Sequence, residues 1–254
     1  MDLNFKVFGE GKPLVVLHGL LGSLDNWQSL AKKFAESRKV YLVDQRNHGK
    51  SPHMEDHDYP SMVADLKAFL EKNDIENADL LGHSMGGKTV MGLAVEYPFL
   101  LNKLIVVDIS PRHYPVHHDQ ILAGLNAVDF NIQKSRSDVE EVLSAFIPEA
   151  TVRQFLMKNL YWIEKEKLAY RFNLKAITKD IEKIGFGLAE GAYFTNPTLF
   201  IDGEDSDYIQ EDDHDLIDEV FPRNEIITFE NCGHWVHAQN PSLLIETVEK
   251  FLKS

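Results

Sequence analysis

The sequence predicts an α/β protein with a doubly wound, mostly parallel sheet and an inserted helical segment. Three observations predict this class. Short apolar runs rich in Val, Leu and Ile recur along the chain, segments with helical spacing separate them, and residues 112–190 carry helical spacing throughout. Because the runs are apolar on both faces, they are typical of central parallel strands covered by helices.

Each element follows from its local pattern, in chain order. The first segment, "LNFKVFGEGK", combines a strand with a turn and predicts an antiparallel edge. Apolar runs predict strands at 13–19, 39–46, 78–84, 103–110, 197–204 and 224–231. Amphipathic spacing predicts helices at 26–38, 59–73, 86–98 and 241–254, the last with Pro241 in its first turn.

Residues 112–190 interrupt the alternation of strands and helices. The stretches "DQILAGLNAV", "RSDVEEVLSAFI", "ATVRQFLMKNLYWI" and "AITKDIEKIGFGL" have helical spacing, and no clear strand lies among them. Since most connections between strands are short, this segment is too long for a simple crossover. We expect an α-helical cap at 112–190, inserted after the strand that ends near Asp108, and a core formed by 1–111 and 191–254.

Composition excludes several function classes. The chain has 254 residues, 44% of them hydrophobic and 26% charged, which is enough for a substantial core. The net charge of −14, without a run of Lys or Arg, argues against nucleic-acid binding. No apolar run is long enough to span a membrane, no secretory signal pattern opens the chain, and the single Cys232 forms no internal disulfide. We therefore expect a cytoplasmic protein.

A serine between two glycines follows one predicted strand and opens a helix. In "LLGHSMGGK" the pattern G-x-S-x-G is centred on Ser84. A tight strand-to-helix turn forces such a serine into a rare backbone conformation and lifts its hydroxyl above the sheet. Gly82 and Gly86 lack side chains where strand and helix would collide. The pattern predicts a nucleophile, and the alternative is a serine that caps an ordinary helix.

A serine nucleophile needs a base, and the histidines offer several. His234 follows the last predicted strand in "ENCGHWVHAQNP", at the sheet edge where Ser84 also emerges. His237, three residues further on, is a competitor, but we expect His234 to be the base because it lies nearer the strand end. His113, His117 and His118 form a local cluster that could indicate a metal. Pro115 disrupts the helix that would align them, so no metal is predicted.

Five motifs are spread along nearly the whole chain: "VVLHGLLGSLDNW", "VDQRNHGKSP", "GHSMGGK", "VVDISP" and "GHWVHAQNP". Together they resemble the α/β-hydrolase superfamily, most closely the YbfF-type small esterases and acyl-CoA esterases. The chain order, with serine early and histidine late, matches this family. The resemblance implies an oxyanion hole formed by the amides of Leu20 and Met85.

The resemblance leaves the third member of the triad open. Many relatives carry the acid as Gly-x-x-Asp after the penultimate strand, but "FIDGEDSDYI" places Ser206 at that position, flanked by Asp205 and Asp207. The branch that this chain most resembles uses the position of Asp108 instead. We expect Asp108 to be the acid, with Asp205 or Asp207 as alternatives and Ser206 as an auxiliary group.

The resemblance implies a serine hydrolase that cleaves carboxylic esters of short to medium acyl chains through an acyl-enzyme, without metal or organic cofactor. Acyl-CoA thioesters are a further substrate class. A C–C bond hydrolase, a lyase or a cofactor-free haloperoxidase are alternatives on the same fold, and a ligand receptor without turnover is another. The expected partner is a small-molecule ester or thioester, bound by a monomer or small homo-oligomer. Candidates to line its pocket or fill the cap are Phe146, Phe155, Leu156, Tyr161, Trp162 and Phe172, and candidates to hold CoA phosphates are Lys88, Arg112 and Arg153.

Overall fold

The centre of the fold is a seven-stranded sheet, seen in a computed structural model that describes residues 1–115 and 118–254. These residues contain nine strands: β1 Phe5–Phe8, β2 Pro13–Leu17, β3 Lys39–Val43, β4 Ala78–His83, β5 Leu101–Val107, β6 Leu160–Glu164, β7 Lys167–Tyr170, β8 Thr198–Gly203 and β9 Asn224–Phe229. Of these, β6 and β7 lie outside this sheet. The α-helices are α1 Gln28–Phe34, α2 Tyr59–Lys72, α3 Met85–Glu96, α4 Asp119–Ala127, α5 Arg136–Ser144, α6 Ala150–Met157, α7 Leu174–Ile184, α8 His214–Val220, α9 Val236–Gln239 and α10 Pro241–Lys253.

The strand order across the sheet is β1-β3-β2-β4-β5-β8-β9. β1 pairs antiparallel with β3, and the other neighbouring pairs are parallel. The predicted doubly wound, mostly parallel sheet is confirmed, together with its antiparallel edge. Because parallel strands end at the same edge, the residues that follow β4, β5, β8 and β9 come together there.

Helices cover both faces of this sheet, as the alternation within β2 illustrates. Leu14 and Val16 pack on the side of α1 and α10, whereas Val15 and Leu17 pack on the side of α2 and α3. None of these four side chains is more than 2% exposed. The strand therefore buries apolar side chains on both faces, which is the reason its sequence is a continuous apolar run.

The segment 112–190, called the cap segment below, differs from the prediction in one element. It contains α4 to α7, but the end of the helix predicted at 150–163 is replaced by β6, which pairs with β7 in an antiparallel hairpin. Helix α6 ends at Met157, and the aromatic and β-branched residues that follow favour a strand. The expectation of a cap without strands was wrong, because helical spacing over a few residues does not exclude a short strand. The division into a core and a cap at 112–190 stays a prediction.

The chain enters the cap segment near residue 112 and leaves it near residue 188, and these two connections are hydrogen-bonded to each other. The Tyr114 amide donates to the Gly185 carbonyl at 2.7 Å, and the Leu188 amide donates to the Pro111 carbonyl at 2.9 Å. The two ends of the cap segment are therefore held side by side.

Lys88 of α3 contacts both of these connections. Its ammonium donates to the backbone carbonyl of Arg112 and, at 3.2 Å, to that of Phe186. The residue is only 1% exposed. Burial and the neighbouring Arg112 guanidinium lower the pKa of Lys88 to about 7, and Asp213 opposes this shift. Lys88 thus ties both ends of the cap segment to a core helix at the cost of burying an amine.

Replacing Lys88 by methionine is expected to remove a pH-dependent part of the stability. In the unfolded chain the amine keeps its proton up to its ordinary pKa of 10.5, whereas the folded protein releases it near a pKa of about 7. Between these values the unfolded chain binds more protons, so the free energy of unfolding rises with pH. The free energy of unfolding of the wild type minus that of Lys88→Met, both measured by urea denaturation, should therefore increase from about pH 7 to about pH 10.

The control for this measurement is Lys33→Met. The Lys33 side chain is 62% exposed, so its removal should leave the corresponding difference nearly independent of pH. A flat difference for Lys88→Met as well would contradict the release of a proton from Lys88 on folding.

Candidate active site

Ser84 occupies a strained turn between β4 and α3. Its backbone has φ 53° and ψ −118°, a left-handed conformation that typically costs about 1–3 kcal/mol for a residue other than glycine. A Cβ on Gly82 would overlap the Gly86 carbonyl, and a Cβ on Gly86 would lie 2.7 Å from the Leu17 carbonyl oxygen. Both glycines of the motif are therefore required by close backbone contacts, and the turn holds the hydroxyl above the sheet.

Ser84, His234 and Asp108 form one hydrogen-bonded chain. His234 Nε2 lies 3.1 Å from Ser84 Oγ, and His234 Nδ1 lies 2.6 Å from Asp108 Oδ2. Asp108 follows β5, and His234 lies in the loop between β9 and α9. Because a carboxylate can only accept, Nδ1 carries the imidazole proton and Nε2 is free to accept the proton of the hydroxyl. The structure thus brings together the three residues on which the sequence prediction rests.

Asp108 is fully buried and is held by further donors. Ser206 Oγ donates to Oδ2 at 2.6 Å, and the Gly203 amide donates to Oδ1 at 3.1 Å. The backbone of Asp108 has φ 52°, again in the left-handed region. Asp202 lies beside it, and burial together with the charge of Asp108 raises the pKa of Asp202. Ser206, which the sequence predicted as an auxiliary group, therefore contacts the acid directly.

Among the described residues, the alternative candidates do not join this hydrogen-bonded chain. Asp205 and Asp207 are exposed, and within the described part of the chain neither carboxylate bonds to His234. His237 is buried and stacks on the Trp27 ring at a centroid distance of 4.7 Å. Burial lowers the pKa of His237 to about 3, so it stays neutral at ordinary pH.

Two side chains that the sequence prediction missed position His234. The Tyr208 ring stacks on the imidazole with the ring centroids 4.0 Å apart. His83 Nε2 donates to the His234 carbonyl at 2.8 Å, and burial lowers the pKa of His83, which keeps this ring neutral. The place of His83 directly before Ser84 was an available signal, whereas nothing in the pattern around Tyr208 indicates the stacking.

Leu20 and Met85, whose amides are the predicted oxyanion donors, line the same cavity as Ser84. Met85 is the first residue of α3, so its amide points out of the helix start beside Ser84. Within residues 1–115 and 118–254, neither amide has a hydrogen-bond acceptor. The next residue, Leu21, has φ 57°, and its amide donates to His48 Nε2 at 3.0 Å. This bond fixes the loop that carries Leu20.

His18 shapes the same loop without reaching Ser84. Its Nδ1 donates to the Gly19 carbonyl at 2.8 Å, and its Nε2 accepts from the Gln45 amide at 3.1 Å. Burial lowers the pKa of His18, so the ring is neutral and both bonds use one tautomer. The histidine of the "LHG" motif is therefore a structural residue.

A cavity of about 180 Å³ opens beside the Ser84 hydroxyl. Of the residues expected to line a pocket, Phe155 and Leu156 line this cavity. The ring centroids of Phe155 and Trp235 are 5.9 Å apart. Phe172 is buried in the cap segment, while Trp162 is 50% exposed. The cap segment therefore contributes an apolar wall over the site.

No group of three or more His, Cys, Asp or Glu residues within 1–115 and 118–254 is arranged to hold a metal ion. His117, one member of the histidine cluster noted in the sequence, lies outside the described residues.

Comparison with known proteins identifies the family. A family model described as the alpha/beta hydrolase fold matches residues 12–133. The chain is 38% identical over 247 residues to the sn-1-specific diacylglycerol lipase ABHD11 of Mus musculus, covering 94% of this chain and 80% of the lipase. The chain belongs to the α/β-hydrolase family. Against Esterase YbfF of Escherichia coli this α/β hydrolase is 35% identical over 241 residues, covering 94% of its own length and 92% of the esterase.

A solved structure agrees with this membership. The structure described as a marine microorganism esterase superposes with a TM-score of 0.96 at 40% identity, covering 98% of this α/β hydrolase and 99% of that chain. The predicted resemblance to YbfF-type esterases is confirmed, and the chain is a hydrolase whose relatives are named esterases and lipases.

Proposed function

We propose that this α/β hydrolase cleaves carboxylic esters through an acyl-enzyme on Ser84. The observation that carries the proposal is the hydrogen-bonded chain from Ser84 through His234 to Asp108 at the mouth of an apolar cavity. A nucleophile, a base and an acid that orients the base are the three groups this reaction needs. The names of the relatives, esterases and lipases, favour esters over the substrates of C–C hydrolases, lyases or haloperoxidases.

The proposed reaction has two halves. Ser84 Oγ attacks the ester carbonyl carbon while His234 Nε2 takes the hydroxyl proton, and the amides of Leu20 and Met85 bind the oxyanion. His234 then gives this proton to the departing alkoxide, which leaves as the alcohol. A water molecule, deprotonated by the same imidazole, attacks the acyl-enzyme. The bond between the acyl carbon and Ser84 Oγ then breaks, His234 returns the proton to Oγ, and the carboxylic acid is released. The Asp108 carboxylate accepts from Nδ1 and stabilises the imidazolium in each half.

Oxygen esters of short to medium acyl chains are proposed ahead of acyl-CoA thioesters. The three basic residues considered for CoA phosphates are engaged inside the protein. Lys88 is buried against backbone carbonyls, Arg112 Nε lies 2.9 Å from Asp213, and Arg153 Nε lies 2.7 Å from Glu140. A phosphate would have to displace one of these partners.

The wider expectations on location and assembly stay predictions. Among the residues that the structure describes, no helix has both the length and the apolar character needed to cross a bilayer. A cytoplasmic location, and a monomer or small homo-oligomer, are proposed on the sequence pattern alone.

The test is to combine turnover with active-site labelling. The purified protein should hydrolyse p-nitrophenyl acetate or butyrate, and a fluorophosphonate probe should label it stoichiometrically on the peptide that contains Ser84. Protein unfolded in urea is the control and should not react, because the proton-accepting imidazole is then no longer held at the hydroxyl. A folded protein that neither turns over esters nor reacts with the probe would point to a receptor instead.

A further inference from the structure

Two cavities of different size meet at Ser84. The larger, of about 180 Å³, is lined on one side by His234 and Trp235. The smaller, of about 30 Å³, is lined by Met85 and Ile109. Ser84 borders both, and so do Leu20, His118 and Tyr208. A substrate attached to Ser84 can therefore extend in two distinct directions.

The position of the imidazole determines which cavity receives the alcohol part of an ester and which receives the acyl chain. In the tetrahedral intermediate the carbonyl oxygen faces the amides of Leu20 and Met85, and the departing oxygen must receive its proton from His234 Nε2. His234 lines the larger cavity and not the smaller one. The alcohol therefore lies in the larger cavity, and the remaining substituent of the carbon, the acyl chain, points past Met85 into the smaller one.

We propose that the smaller cavity accepts the acyl chain and the larger cavity accepts the alcohol, so that the preferred substrates are short-chain acyl esters of larger, mostly apolar alcohols. This inference rests on the ester hydrolysis proposed above and adds the substrate class. A single water needs about 10–15 Å³ of such space, so a cavity of about 30 Å³ has room for about two or three groups of that size. An acetyl to butyryl chain fits this room, and longer chains do not.

The wall of the smaller cavity is fixed by contacts. Ile109 is 4% exposed and packs against Gly87, where a Cβ would lie 2.5 Å from its Cγ2. Tyr59 Oη donates to the Ile184 carbonyl at 2.8 Å, which holds the end of α7 against α2. Ile181 and Ile184 of α7 line the cavity from the cap segment. A longer acyl chain would have to displace this helix end.

The wall of the larger cavity is apolar on the side of the cap segment. Ile121 of α4 and Val152, Phe155 and Leu156 of α6 line it. Apolar side chains of this kind suit a hydrocarbon alcohol, since its transfer out of water is favourable. The two cavities are thus bounded by different cap helices, α7 for the smaller one and α4 and α6 for the larger one, so that each can be altered alone.

Two ester series test the assignment. The p-nitrophenyl esters from acetate to octanoate lengthen only the acyl chain, and the acetates of butanol, hexanol and octanol lengthen only the alcohol. The kcat/KM is expected to fall at least about tenfold from butyrate to octanoate, and not to fall from butyl to octyl acetate. Ile184→Ala should raise the octanoate-to-acetate ratio of kcat/KM by about tenfold or more, because it opens the smaller cavity.

Val152→Ala is the control, since it removes two side-chain carbons from the wall of the larger cavity and leaves the wall of the smaller one intact. It should change kcat/KM across the alcohol series and leave the octanoate-to-acetate ratio of kcat/KM unaltered. Ile181→Ala is a second variant in the acyl wall, to be used if Ile184→Ala does not fold by circular dichroism.

Failure of the inference and failure of the proposed function give different results. The subsite assignment alone would be overturned if the wild-type enzyme hydrolyses esters but prefers octanoate to acetate. It would also be overturned if the octanoate-to-acetate ratio of kcat/KM changes in Val152→Ala and not in the α7 variants. Absence of turnover for every ester would count against ester hydrolysis itself.

Discussion

Replacing Ser84 by alanine is expected to lower kcat for p-nitrophenyl butyrate by about 10⁶-fold, the size of the loss when a serine hydrolase loses its nucleophile. Without Oγ no acyl-enzyme can form, and only the oxyanion amides and substrate binding remain to assist water. The measurement is kcat under saturating ester, together with fluorophosphonate labelling, which should vanish.

The control for Ser84→Ala is Ser206→Ala. Ser206 Oγ donates to the acid at the other end of the hydrogen-bonded chain, 2.6 Å from Asp108 Oδ2. Its removal leaves the nucleophile in place, so most of the activity and stoichiometric labelling should persist. Comparable losses in both variants, or labelling of the Ser84→Ala protein, would show that another group is the nucleophile.

Asp108→Asn is expected to lower kcat by about 10⁴-fold, whereas Asp205→Asn and Asp207→Asn should change it only slightly. The Asp108 carboxylate accepts the proton on His234 Nδ1 and thereby leaves Nε2 free for the serine. An asparagine amide can donate to Nδ1 and so favours the wrong tautomer. The exposed Asp205 and Asp207 make no such bond, which makes them matched controls of the same chemical change.

A structural readout separates this effect from a loss of folding. The asparagine oxygen can still accept from the Gly203 amide, as Asp108 Oδ1 does at 3.1 Å, so the variant should keep its thermal unfolding midpoint within a few degrees. A strong loss in Asp205→Asn or Asp207→Asn, with a mild effect in Asp108→Asn, would reassign the acid to the loop after β8.

Much of the sheet could be predicted because its signals are local. The apolar runs at 13–19 and 78–84 lie on β2 and β4, and Gly82 is explained by a contact within the turn itself, with the carbonyl of Gly86. The hairpin of β6 and β7 was missed because the stretch 150–163, which contains Tyr161 of β6, has a spacing that resembles a helix, and its partner Ala169 lies in a separate segment. Strand pairing is a relation between segments, which the periodicity of one segment does not contain.

The sequence by itself determined the fold class, the family and the position of the turn at Ser84, since each depends on residues that are neighbours in the chain. It left open which of three aspartates faces His234, and it did not indicate Tyr208. Only the tertiary structure decided these, because Asp108 and His234 are 126 residues apart and meet where parallel strands end at one edge of the sheet. The division of the space above Ser84 into two cavities has the same origin, since its walls come from cap helices packed against the core and no single segment encodes their separation.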